Sequence, residues 1–385
     1  MFKRLISYLK KINLRFDVIF KYFLNIDFSY KKKKIDILVL DEKTKKNFFY
    51  LKKDFSIEFI PTRGERVNFF ILLKTFWFFL FSKISFFECY ILAYIDYTKS
   101  QILISAVENK KFFNIKNIRK NIKTVFFQYD FKSKENLKFL NSIKADIDLI
   151  FCTGPYWANY LKKFSRKKPE FLPSLYNHKV KDLKKNDTKK LYYISTYRHP
   201  SSYKSENNFF HNFHYKKDFF LLKILNEISI KRNIKVNIIL TYKKDNNYPS
   251  KLIIEEKRYF KKMLPNKNIN FVDPNIKRIL NNNNSLFVNL DSALGFQLAA
   301  IGKKCVFFPI RKRKNQQVQF NDMPNFGKFW SKKMNFIKVK NIILDNYDNN
   351  LNHNLIMQKY INNFFIINPK ISFKEVNKKI SDLLT

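Results

Sequence analysis

The stretch Ser285–Arg311, SLFVNLDSALGFQLAAIGKKCVFFPIR, decides the fold class. SLFVNLD is a short β-rich apolar run ending at a carboxylate, Asp291, and Ser292 with Gly295 supplies turn chemistry directly after it. Phe296 to Ile301 reads as a helix that stops at Gly302, a residue suited to the left-handed position past a helix end. CVFFPI, residues 305–310, returns as a second strand. Strand, tight loop, helix and strand make the repeating unit of a parallel α/β sheet. Exposed amides at the helix start, beside the Ser292 hydroxyl, suit a phosphate or a ribose. An ordinary N-cap serine in an ordinary unit accounts for the same spacing.

The alternation recurs on both sides of this stretch. Residues 191–196 (LYYIST), 236–242 (VNIILTY) and 268–273 (NINFVD) read as strands, with helices over 216–230 and 255–264. Upstream, 35–41 (IDILVLD), 56–60, 101–109 (QILISAVEN), 124–128 (TVFFQ) and 146–152 (DIDLIFC) are strands. Between them lie a polar helical stretch to Lys53, an apolar helix from Val67, a polar helix to Lys120, a helix over 133–141 and one behind Gly154 and Pro155. KVKDLKKNDTKK, residues 179–190, is almost free of apolar side chains and reads as a linker.

The expected architecture is α/β, with two Rossmann-like doubly wound domains facing a cleft. A basic amphipathic segment (1–34) precedes an N-terminal domain (35–178), and the linker leads to a second domain (191–345). Helices over 346–385 then pack on the outside or cross back to the first domain.

The formal charge of +44 invites a nucleic-acid reading, but only 12 of the 75 basic residues are Arg. The excess of Lys comes with Asn, Ile, Phe and Tyr, all residues of A/T-rich codons, and base readout favours Arg. Nucleic acid is therefore disfavoured as a partner, whereas an anionic membrane surface needs only diffuse Lys charge. Residues 1–24 set Phe2, Leu5, Ile6 and Leu9 against Lys3, Arg4, Lys10 and Lys11, without the continuous apolar core of a signal peptide. That segment either lies on a membrane or covers the domain. The densest apolar run, Phe69 to Phe81, is too short to span a bilayer and reads as a buried helix. Cys89, Cys152 and Cys305 are widely spaced and read as buried free thiols. The expected location is cytoplasmic, with a peripheral place on the inner membrane open to it.

Six pieces in order resemble the bacterial surface carbohydrate biosynthesis family, glycosyltransferase-like proteins of the GT-B type. DSALGFQ resembles that family's D-S-T-L-G-x-E element, LVLDEKTKKNF its opening strand, and PTRGERVNFFILLK its R-G-E loop and helix. ILISAVENKKFFNIK resembles its I-D-N segment, TVFFQYD its F-I-Q-N-G, and YISTYR the opening of its second domain. The resemblance implies a nucleotide-sugar donor bound mainly by the second domain, a glycan or lipid-linked acceptor, and no cofactor or metal.

On that basis donor contacts are expected from Thr196, Arg198, Asp291, Ser292, Ala293, Leu294, Gly295, Gln297 and Arg311. Acceptor contacts are expected from Arg63, Gly64, Asn109 and Gln128, with Glu65 and Glu108 as candidate general bases. Asp96 is a third candidate that reads more readily as a helix-end carboxylate, and His199 reads as an exposed loop residue. The family's Asp-Asn is Glu108-Asn109 here, its Gln-Asn-Gly is Gln128-Tyr129-Asp130, and its helix Glu is Gln297. The expected function is sugar transfer in surface polysaccharide assembly. A polyol-phosphate transferase with a CDP-linked donor, or a non-catalytic nucleotide-binding scaffold, remains open.

Overall fold

The computed structural model describes residues 26–28, 34–62, 67–107, 109–128, 134–172, 189–198, 208–242, 250–264, 268–274, 284–310, 318–349, 353–366 and 372–384. The chain divides into two compact units, Met1–Leu175 with Asn368–Thr385, and Tyr176–Ile367.

The strands of the first unit are β1 (Ile26–Asp27), β2 (Ile37–Leu40), β3 (Ile57–Ile60), β4 (Val67–Asn68), β5 (Ile102–Ser105), β6 (Lys123–Phe127), β7 (Leu149–Cys152) and β8 (Glu170–Phe171). Six of them form one parallel sheet in the order β3-β2-β5-β6-β7-β8, and β1 pairs with β4 apart from it. The apolar runs serve both faces in alternation. Leu38, Leu40, Leu103, Phe126 and Ile150 enter one core, while Ile37, Val39, Ile104, Phe127 and Phe151 enter another.

The first of these cores is closed by α1 (Phe69–Phe81), α2 (Phe86–Thr98), α3 (Lys110–Ile118) and α4 (Pro155–Leu161). Ser85 and Glu88 start α2 with a reciprocal capping box. A buried ion pair joins α3 to the sheet. Lys116 Nζ lies 2.9 Å from Asp148 and donates to Ile122 O at 2.7 Å, and Asp148 also accepts from the Thr124 amide at 2.8 Å.

The second unit holds β9 (Leu191–Ile194), β10 (Val236–Ile239), β11 (Ile269–Val272), β12 (Leu286–Asn289) and β13 (Lys304–Phe307), all parallel in the order β11-β10-β9-β12-β13. Its helices are α5 (Asn208–Arg232), α6 (Ser250–Met263), α7 (Ala293–Ala300), α8 (Phe336–Asp348) and α9 (His353–Asn362). Tyr193, Ile238 and Val288 pack with Leu221, Leu225, Phe260 and Ile342 in one core. On the other face Phe296 of α7 stacks on Phe307 at 5.1 Å. Gly302 follows α7 at φ 81°, the left-handed residue expected after that helix.

The last helix, α10 (Phe373–Ser381), belongs to the first unit. Val376 and Ile380 enter the core of Ile37 and Val39, and Phe373 stacks on Tyr50 at 4.2 Å. Residues 346–385 are thus divided. Gln358 of α9 donates to Ala300 O at 3.0 Å within the second unit, while α10 covers the first sheet. The linker up to Thr188 and the N-terminal residues up to Asn25 lie outside the described residues.

Two local expectations change. The polar stretch before Lys53 forms two 3-10 helices, Glu42–Asn47 and Phe49–Lys53, rather than one α-helix. The apolar helix α1 buries only Ile71, Thr75 and Phe79, because it packs through one face against α2 and leaves the other outward. Cys89, Cys152 and Cys305 are buried thiols outside any disulfide, and burial pushes the Cys152 thiol up to about 12.

Candidate functional site

In the second sheet the chain runs β9, β10, β11 to one side and then crosses back to β12 and β13 on the other. The change of direction falls between β9 and β12, so the segments leaving their carboxyl ends diverge and open a crevice. Those segments are Ser195–Arg198 and Leu290–Ser292, the two pieces that the sequence singled out. Among the described residues the side-chain oxygen Oγ1 of Thr196 is buried without a hydrogen-bond partner, and Arg198 is exposed. Ser292 is the N-cap of α7, at φ −71° and ψ 140°, yet its hydroxyl makes no capping bond. That hydroxyl and the first-turn amides, which have no carbonyl partner within a helix, are together at one edge. Ala293 is exposed, Leu294 and Gln297 are half-buried, and Asp291 is buried.

Asn289 builds this loop. Its Oδ1 accepts from the Ser292 amide at 3.2 Å, and its Nδ2 donates to Val306 O at 3.2 Å. A Cβ on Gly295 would stand 2.6 Å from that Oδ1 and 2.7 Å from Cγ. Glycine is therefore required by close approach to Asn289, not by its own backbone angle.

Glu256 of α6 ties the neighbouring loops. It is fully buried, and its Oε1 accepts from Ser195 Oγ at 2.6 Å and from the Thr241 amide at 2.8 Å. Its Oε2 accepts from the Tyr242 amide at 3.2 Å, and Ser195 Oγ in turn accepts from the Tyr197 amide at 3.1 Å. Burial raises the Glu256 pKa above the ordinary range, and these hydrogen bonds offset only part of the rise. Nearby, Asp218 is buried and accepts from the Tyr193 and Tyr259 hydroxyls. Burial pushes its carboxyl up to about 6 against those bonds, with the Glu256 charge adding to the rise.

The first sheet has its own change of direction, between β2 and β5. A cavity of about 250 Å³ sits there, lined by Leu40, Asp41, Thr62, Phe87, Val107 and Asn109. Asp41 is buried at φ 74°, a left-handed conformation that Asp tolerates better than most side chains, and its carbonyl accepts from Thr44. Asn109 caps α3, with Oδ1 accepting from the Lys111 amide at 2.9 Å. Gln128, just after β6, is fully buried, and both atoms of its side-chain amide are unpartnered among the described residues.

Arg63, Gly64, Glu65, Glu108, His199 and Arg311 lie outside the described residues. A larger cavity of about 440 Å³, lined by Asp96, Lys99, Arg119 and Lys123 among others, opens at the amino edge, where parallel α/β sheets do not take their ligands. Burial raises the Asp96 pKa, but the bonds from Arg119 and Lys74 outweigh it and hold the carboxyl below its ordinary value. Asp96 is the helix-end carboxylate that the sequence suggested.

Sequence reasoning missed Asn289, Glu256 and Asp41 as site residues. Asp41 had a signal, a carboxylate at the end of the first strand. Asn289 is a polar residue inside an apolar strand, which could have marked it. Glu256 lies on a helix 61 residues from Ser195 and had no local signal.

The fold has solved counterparts. A crystal structure described as a "putative UDP-N-acetylglucosamine 2-epimerase" from Listeria monocytogenes aligns with a TM-score of 0.53 at 10% identity, over 87% of this chain and 93% of that one. HepE from Anabaena, in complex with UDP-glucose, aligns with a TM-score of 0.51 at 11% identity, over 91% of this chain and 99% of its own. At such identity the likeness shows the fold alone, two Rossmann-like domains of the GT-B type. Among curated proteins no match is found. A family model described as "putative O-antigen biosynthesis protein" matches residues 108–384, which include most of the first sheet's later strands and the whole second unit. By that match over more than half its length, the chain belongs to this O-antigen biosynthesis protein family.

Proposed function

We propose that the protein transfers a sugar from a nucleotide-activated donor to a glycan or lipid-linked acceptor in surface polysaccharide assembly. The observation that carries this reading is the meeting of Ser195–Arg198 and Leu290–Gly295 at the switch point of the second sheet. Among the described residues Thr196 Oγ1 has no hydrogen-bond partner there, and the Ser292 hydroxyl does not cap the first-turn amides of α7. Helix-start amides and Arg198 would hold the diphosphate and stabilise the charge that develops as it departs. The hydroxyls of Thr196 and Ser292 would meet ribose or phosphate. HepE, recorded with UDP-glucose, supports the kind of ligand, and the family description supports the pathway.

In this reading the first unit takes the acceptor at the cavity between β2 and β5. A carboxylate there removes the proton of the acceptor hydroxyl, the oxygen bonds the anomeric carbon, and the bond from that carbon to the diphosphate breaks. Glu65 and Glu108 are the candidates from sequence, and Asp41 joins them because it lines the cavity.

The test is thermal unfolding of the full chain with a panel of nucleotide sugars, followed by product analysis. A rise in midpoint with a UDP- or GDP-sugar and release of the nucleoside diphosphate are expected. A folded protein that no nucleotide stabilises would sink the reading. Release of CMP from a CDP-polyol would move it to polyol-phosphate transfer, and binding without turnover would leave a scaffold. Gln297 gives the last outcome its weight, since it replaces a carboxylate expected in that family.

A further inference from the structure

The first unit exposes an apolar face that its own core does not use. Along α1, Phe70, Leu73, Trp77 and Phe81 are 37%, 51%, 62% and 64% exposed, while Ile71, Thr75 and Phe79 face α2. At 3.6 residues per turn these four lie within about a quarter of the helix circumference, opposite the buried row. Trp77 and Phe81 are in ring contact at 4.5 Å, so the outer row forms one patch at the end of the helix. Exposed Phe28 extends the patch at the other end, with its ring 5.1 Å from Phe69.

We infer that this face is a docking surface for an anionic lipid leaflet. Three observations fix the occupant. From Val67 to Phe87 the chain carries no acidic residue, and of its two cations Lys74 pairs with Asp96 of α2 while Lys83 follows the exposed end of the helix. The pairing of β1 with β4 brings residues 26–28 to the start of α1, and residues 1–34 contain ten basic and two acidic side chains. The sequence that continues from residues 26–28 is thus strongly basic, and basic sequence joined to an aromatic face is the combination that an acidic headgroup layer over hydrocarbon attracts. Finally, α1 has 13 residues, about 20 Å of helix, and among the described residues no helix is long and apolar enough to cross a membrane. The helix lies on the lipid and does not span it.

The docking face has a consequence for the acceptor, which rests on the transfer reading, whereas the lipid contact does not. The exposed Trp77–Phe81 end of α1 leads through Ser82–Ser85 directly into α2, whose Phe87 lines the cavity at the carboxyl end of β2. Lipid face and cavity share one end of the unit. An acceptor sugar carried on a membrane lipid would reach that cavity without leaving the surface.

The three tryptophans make the test specific. Trp157 and Trp330 are 1% and 3% exposed, so lipid-borne quenchers read Trp77. The full chain is mixed with vesicles of phosphatidylcholine alone, or of equimolar phosphatidylcholine and phosphatidylglycerol, with and without brominated acyl chains. Sedimentation with the anionic vesicles and quenching of Trp77 by the bromines are expected. Leu73→Ser with Phe81→Ser should lower vesicle partitioning at least about tenfold, with the unfolding midpoint and any nucleotide stabilisation unchanged. Vesicle binding without Trp77 quenching would overturn the inference, because the basic segment would then bind lipid alone. A solution dimer that the double variant dissociates would overturn it in favour of a second copy. Absence of binding to anionic vesicles would end it outright.

Discussion

The buried ion pair of the first sheet and the buried glutamate of the second stand at opposite ends. In the first unit Lys116 and Asp148 meet at the amino edge, where Asp148 precedes β7 and its carboxylate takes the amide of Thr124 in β6. In the second, Glu256 sits at the carboxyl edge and takes the amides and hydroxyl of loops that follow β9 and β10. Parallel α/β sheets receive ligands at the carboxyl ends. A charge at the amino edge can therefore serve only the fold, whereas one at the carboxyl edge also sets the loops that a ligand meets. Loss of the first should be read in stability, loss of the second in binding.

The largest expected effect breaks the fold-serving pair. Lys116→Met leaves a carboxylate buried without its nearest cation, since Arg166 stands 3.7 Å away from Asp148 on the more exposed side. Removing one partner of a buried pair costs about 3–5 kcal/mol, which urea unfolding would measure. A loss below about 1 kcal/mol would show that the amino-edge pair is not what holds α3 to the sheet.

Next comes the buried acid of α5. Asp218 is raised from an ordinary 3.8 to about 6, so the folded state binds its proton more tightly than the unfolded chain. Its contribution is complete below about pH 4 and lost as pH rises through about 6, by up to about 3 kcal/mol. Denaturant midpoints measured between those values should fall as pH rises, and Asp218→Asn should flatten that slope. An unchanged slope would place the pH dependence elsewhere.

The sheet frame was legible because each strand is a short apolar run bounded by polar turns. All ten strands expected from sequence are present, with ends shifted by a few residues as the turns take the terminal polar positions. Glu170–Phe171 escaped notice because two residues carry no periodicity. The exposure of α1 was illegible for a different reason. FFILLKTFWFFLF is apolar all round, and such a helix declares burial unless its neighbours are known. In the second unit the loop after β12 was legible through Ser292 and Gly295, but the reason for that glycine was not. It lies in the side chain of Asn289, six residues back and on another element.

Gly295→Ala tests that reason with a middling effect. The new methyl would overlap the Asn289 amide, and such overpacking costs about 1–3 kcal/mol. Because Asn289 also holds the Ser292 amide, displacement of its side chain should weaken donor binding as well. Adding Asn289→Ala to Gly295→Ala should recover part of the stability while leaving donor affinity low. A double variant no more stable than the single one would mean that the strain lies outside this contact.

Glu256→Gln should cost least in stability and say most about the comparison. The amide oxygen can keep the bonds from Ser195 and Thr241, but the amide nitrogen then faces the Tyr242 N–H, donor against donor. One charged hydrogen bond lost and one clash relieved by a small shift come to about 1–2 kcal/mol. Since the folded pKa of Glu256 is raised, wild-type stability from this group is present in acid and declines as pH rises through it, so the gap to the variant should narrow toward neutral pH. The Thr241–Tyr242 turn would shift with the lost tie and, through the Thr241 hydroxyl that donates to Ser195 O at 3.1 Å, would carry the loop from Ser195 to Arg198 with it, so donor affinity measured by calorimetry should fall about tenfold, more than the stability change alone predicts. Lys116→Met should show the reverse, a large stability loss with donor affinity intact wherever the protein remains folded. If both variants lose binding in proportion to stability, the carboxyl-edge charge serves only the fold, like its counterpart.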